Sequence, residues 1–119
     1  MSLELNHLVM LKERYVGAVQ EQESMIASYK QGIVDTQRSI SYLKEREPYA
    51  VGDGVKKAIA DLYVQIGGLE TAIANAESKA AEYRTATQGF DSEIAKLNSA
   101  AGKISGALRE EVDRNSAEM

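Results

Sequence analysis

Residues 55–108 read VKKAIADLYVQIGGLETAIANAESKAAEYRTATQGFDSEIAKLNSAAGKISGAL. Within this stretch Val55, Ile59, Leu62, Ile66, Leu69, Ile73, Ala76, Ala80, Tyr83, Thr87, Phe90, Ile94, Leu97, Ala101, Ile104 and Leu108 follow one another in steps that alternate between four and three. That seven-residue repeat is the mark of an a/d seam on a helix that packs against other helices. A second series lies upstream, at Leu5, Leu8, Lys12, Tyr15, Val19, Gln22, Ile26, Tyr29, Ile33, Thr36, Ile40 and Leu43, and it keeps the same rhythm.

Working outward from these series, the chain reads as a single all-α domain over residues 1–119. One helix is expected over about 3–46, a turn over 47–53, and a second helix over about 54–112 with a frayed C-terminus. Ser2 is a plausible N-cap and Glu4 suits the first turn, while Lys44 and Arg46 suit the negative end of the helix dipole. Pro48 ends the first helix, because the residue before a proline is pushed out of the helical region. The connection Glu47 to Gly54 carries Gly-Asp-Gly turn chemistry, with Asp53 placed to cap the second helix. Its length is normal for two antiparallel helices.

A candidate interruption lies at Thr85 to Ser92, where Gly89 followed by Asp91 resembles an end and a restart. The seam keeps phase through Tyr83, Thr87, Phe90 and Ile94, which favours a continuous helix that is weak or bent at Gly89. The alternative is a break there and a three-helix bundle. The fold expected is therefore a long antiparallel helical hairpin of coiled-coil type, completed as a multi-helix bundle by self-association.

Length is the reason for expecting a second copy. At about 1.5 Å per residue the first helix spans about 66 Å and the second about 87 Å. Folded back on one another, the two leave the row Leu97, Ala101, Ile104 and Leu108 without an intrachain companion, and each large side chain left wet forgoes about 1.5–3 kcal/mol. These four residues are the expected self-association site. The flanking g positions widen the apolar stripe: in the second helix five of eight are Ala, at Ala58, Ala72, Ala86, Ala100 and Ala107. Such width suits a bundle of three or four helices, although helix propensity alone also favours Ala.

Glycines 17, 32, 67, 68, 89, 102 and 106 all fall inside the expected helices. Each costs about 1 kcal/mol relative to Ala, and the Gly67–Gly68 pair marks either a bend or a close approach by another backbone.

Composition narrows the function classes without naming one. A formal charge of −4 is mild, and residues 1–50 hold seven acids against six bases, so no basic footprint for nucleic acid is expected. There is no Cys, hence no disulfide and no thiolate metal site. The N-terminus has acid where a secretory signal wants base, and no stretch approaches the roughly 20 apolar residues of a membrane span. A soluble chain, cytoplasmic by default, is expected. His7 is the lone histidine. It makes one Glu-x-x-His pair with Glu4, where a di-metal bundle site needs two. No phosphate loop and no catalytic set is found, so neither an enzyme nor a cofactor is expected. Tyr15, Tyr29 and Tyr83 at d positions, with Lys12, Gln22 and Thr36, make the seam polar in places, a device that fixes register or partner. Tyr49 and Val51 lie in the turn, where they either anchor a protein partner or fold down over the bundle end.

The length and hairpin plan are similar to those of prefoldin beta-type subunits, but the β-hairpin between the helices of such subunits has no counterpart in Pro48 to Gly54. The Trp-x-Gly turn of small hairpin substrates of type VII secretion is absent, and no family is assigned. The function expected is a non-enzymatic protein–protein interaction module: an adaptor, inhibitor or chaperone-like binder that forms a homo-oligomer. The alternatives are a structural or assembly component of a larger particle, or sequestration of a small ligand in the bundle core.

Overall fold

The computed structural model describes the backbone of residues 3–118 and the side chains of residues 3–100. It is a hairpin of two long helices, α1 (Leu3–Arg46) and α2 (Gly54–Glu118), joined by a short 3-10 turn at Glu47–Tyr49. There is no strand among the described residues. Ser2, the expected cap of α1, lies outside the described residues.

The connection follows from its residues. Pro48 fits the start of a 3-10 turn because its missing N–H needs no partner there. The Ala50 N–H donates to the Glu47 carbonyl at 3.1 Å, and Ala50 itself is extended. Gly52 then takes a positive φ of 82°, a left-handed conformation that L side chains rarely adopt. The Asp53 carbonyl accepts the Lys57 N–H at 3.0 Å, the first hydrogen bond of α2.

The three-helix alternative is set aside, because α2 passes through Gly89 without interruption. The physical reason lies beside it. Phe90 packs on Tyr15 with ring centroids 5.4 Å apart and planes tilted by 44°. A tilted aromatic pair contributes about 0.5–1.5 kcal/mol beyond its burial, enough to offset the propensity lost at one glycine. α2 is assigned through Glu118, past the end expected near Val112.

The chain divides into two compact units. The first joins the start of α1, up to Val16, to the end of α2 from Arg84; the second spans Gly17–Tyr83 and contains the turn. Every seam position from Leu5 to Leu43 and from Val55 to Leu97 is buried or half-buried, so the seven-residue repeat marks the packed stripe. Depth differs sharply between the units. Ile40, Ile59, Ala76, Ala80 and Thr36 are the buried residues among those described, and all lie in the second unit. In the first unit the described seam is half-buried throughout.

Candidate interaction surfaces

Two polar seam residues, Lys12 and Thr36, have defined partners. In the first unit Lys12 forms an ion pair with Asp91, on the flank of the facing helix. Both side chains are more than a third exposed, so the pair is worth about 0–1 kcal/mol. It lets a lysine occupy a seam position by keeping its ammonium at the wet margin while its stem lies along apolar surface. In the second unit the buried Thr36 hydroxyl donates to the Gly32 carbonyl at 2.7 Å, one turn back on its own helix. Among the described residues no buried side-chain polar atom lacks a partner.

Among the described helical glycines, Gly32 is the one with a packing reason. A Cβ placed there would meet Leu69 Cδ1 at 3.3 Å, whereas one at Gly17, Gly67, Gly68 or Gly89 would meet nothing within 4 Å. Gly32 borders the seam and faces the Leu69 side chain, whereas Gly67 and Gly68 lie off the seam, and within this chain no atom comes close to either.

The turn end of the second unit carries an aromatic and cationic surface. Tyr49 is 87% exposed and Val51 fully exposed, so neither folds down over the bundle end. Arg46 lies over the Tyr42 ring at 3.5 Å, and its guanidinium donates to the Tyr42 carbonyl at 3.4 Å. One side chain thus serves the negative end of α1 and stacks on an aromatic face. On α2, the Tyr63 hydroxyl accepts from Lys44 Nζ at 2.8 Å. Nζ is 5.4 Å from the ring centroid, nearly the full length of that hydrogen bond plus the reach from oxygen to ring centre. The ammonium therefore sits beyond the hydroxyl, off the ring edge, and the contact is a hydrogen bond more than a cation–π stack. The bond raises the Lys44 pKa above its ordinary value, aided by the charge interaction with Tyr63 and, more weakly, by Glu47.

Comparison with known protein families, curated proteins and solved structures gives no match.

Of the residues expected to mediate self-association, Leu97 is half-buried; Ala101, Ile104 and Leu108 fall on α2 but outside the residues whose side chains are described. On α1 in the same unit, Leu3 is 88% and Met10 54% exposed on the face opposite the seam, and beside the seam Val16 is exposed and Val9 half-buried. Sequence reasoning passed over these four. The signal was the run Leu8-Val9-Met10-Leu11, which places apolar groups on every side of a helix, a pattern that belongs to a covered helix. Tyr42 and Tyr63 were passed over as well, since neither lies on the seam.

His7 is exposed. Among the described residues no group of three or more His, Cys, Asp or Glu is placed to hold a metal ion, and no helix is long and apolar enough to cross a membrane.

Proposed function

We propose that this chain is a protein-interaction module that acts by contact, first with another copy of itself and then with a protein partner, and catalyses no reaction. The observation that carries the reading is the first unit, whose described seam is half-buried throughout, at Leu5, Leu8, Lys12, Tyr15, Thr87, Phe90, Ile94 and Leu97, while Leu3 and Met10 on the same unit stand 88% and 54% exposed. Two helices meeting along one stripe each cannot cover more of themselves, so further burial comes from other helices.

Two features extend the reading to a partner. The exposed Tyr49 and Val51 stand at the turn as an aromatic and an aliphatic anchor, and the flanking Tyr42 and Tyr63 are each held by a cationic neighbour. Self-association leaves that end free for a different protein.

Size-exclusion chromatography with light scattering at micromolar concentration tests the first part. A mass at least twice 13.0 kDa is expected, and a strict monomer overturns the proposal. Pull-down from the native host with wild type and with the double variant Tyr49→Ala, Val51→Asp tests the second part. A protein retained by wild type and lost with the variant, at unchanged oligomer mass, is expected; equal retention by both removes the turn from the binding surface.

A further inference from the structure

The second unit contains one local arrangement twice. In α1 the Thr36 hydroxyl donates to the Gly32 carbonyl at 2.7 Å, and the bare α-carbon of Gly32 receives Leu69 from the facing helix. In α2 the Thr71 hydroxyl donates to the Gly67 carbonyl at 3.0 Å, again four residues back. A Cβ at Gly67 or Gly68 would meet nothing within 4 Å, so no side chain of this chain rests there. Gly67 and Thr71 belong to a second row on α2, made of Ala60, Val64, Gly67, Thr71, Ala74 and Ser78. Its members follow one another in steps of four and three, the alternation of the seam itself, and all six are exposed, Val64 by 75%. That spacing keeps them on one side of the helix, away from the seam. None carries a charge, whereas the outer side of a solvated helix is ordinarily its charged side. Thr71 fits a row that is to be covered, because its hydroxyl is bonded to its own helix and needs no water.

The charges stand along the two edges of this row, and within the unit they have one sign. Asp61 and Glu82 border it on one side, Glu70 and Glu77 on the other. The base in the same stretch, Lys79, is a g position beside the seam. All four acids are exposed, and among the described residues none of them enters an ion pair. We infer that this row is a docking face for one α-helix of a different protein, which places a large apolar side chain over Gly67 as Leu69 is placed over Gly32 and carries Lys or Arg along both of its own edges. Charge complementarity selects that occupant. Two copies of this chain meeting by this row would set acid against acid along both edges, which excludes that pairing. A helix with basic edges answers both at once. Gly67 and Gly68 let its backbone come close, a use that accounts for two residues each unfavourable in a helix. The inference rests on the protein-partner reading above, not on self-association, and gives that partner a second surface to hold.

The full chain is titrated calorimetrically with two synthetic helical peptides that share a row of leucines, one edged with Lys and the other with Glu. Binding of the Lys-edged peptide and none of the Glu-edged one is expected. Gly67→Leu fills the vacant place; it gains helix propensity and touches nothing in the chain, so its melting temperature is at least that of wild type. It is expected to raise the Kd for the Lys-edged peptide at least about tenfold. The double variant Glu70→Lys, Glu77→Lys is expected to lose that peptide and gain the Glu-edged one. Failure of wild type to bind the Lys-edged peptide, or a Kd that Gly67→Leu leaves unchanged, overturns the docking face. A lower oligomer mass for Gly67→Leu than for wild type makes a second copy the occupant and overturns it as well. Pull-down from the native host with wild type and Gly67→Leu separates this inference from the reading beneath it. A protein retained equally by both refutes the row and spares the protein-partner reading. No protein retained by wild type refutes both.

Discussion

Leu69 of α2 rests on the bare α-carbon of Gly32 of α1, with room for a Cβ only at 3.3 Å from its Cδ1. Gly17, Gly67, Gly68 and Gly89 face open space, so among the described helical glycines this one bears on how near the two helices come. Ala at Gly67, Gly68 or Gly89 is expected to stabilise the fold by up to about 1 kcal/mol each, since helix propensity is gained and nothing is touched. Ala at Gly32 gains the same propensity but must turn Leu69 aside, so its gain is smaller than that at Gly67. Thermal denaturation of the two single variants decides it: equal gains would mean that the Leu69 contact sets nothing.

Thr36 predicts a contrast between losing its hydroxyl and losing its methyl group. Its hydroxyl donates to the Gly32 carbonyl, which lies four residues back and also receives the Thr36 backbone N–H in a regular helix. Removing the hydroxyl therefore strands no buried acceptor. Thr36→Val is expected to be neutral or stabilising by up to about 1 kcal/mol, and Thr36→Ser, which loses the methyl group, to cost about 1 kcal/mol. Urea denaturation measures both, and a loss with Val larger than that with Ser would show that the hydroxyl outweighs the methyl.

The Lys12–Asp91 pair predicts a weak, salt-sensitive coupling. A double-mutant cycle with Lys12→Ala and Asp91→Ala is expected to give at most about 1 kcal/mol, fading as ionic strength rises. Lys12→Leu is expected to stabilise, because it puts an apolar side chain on the seam. A coupling above about 2 kcal/mol would show that the pair is far better shielded from water than its exposure implies.

Lys44 gives the pH dependence. Its pKa is raised in the folded chain by the hydrogen bond to Tyr63, so the folded state holds that proton more tightly than the unfolded state. The associated stability is fully present below the ordinary value of 10.5 and is lost as pH rises through the raised one. The difference in melting temperature between wild type and Lys44→Met is therefore expected to be level through neutral pH and to shrink only above 10.5. A difference that shrinks between pH 6 and 8 would assign the effect to another group.

Much of this fold was legible because its information is local. The alternation of three and four places an apolar row on one side of a helix whatever lies opposite, and Pro48 with Gly52 limits where the chain turns. The expected α1 limits, the turn and the phase through Gly89 rest on those facts alone. The exposed pair Leu3 and Met10, seven residues apart on one face, was harder to see, since both sit off the seam and come together only when the helix is wound.

The sequence by itself determined two long helices, their packed faces and their unequal lengths, because helical periodicity and proline geometry are properties of a chain segment. Only the tertiary structure decided that, among the described residues, full burial stays between Gly17 and Tyr83, that Asp91 is the partner of Lys12, and that Leu69 stands against Gly32 while Gly67 and Gly68 face open space. Depth and closeness depend on which side chain stands across the seam, and that is set by the register of one helix against the other.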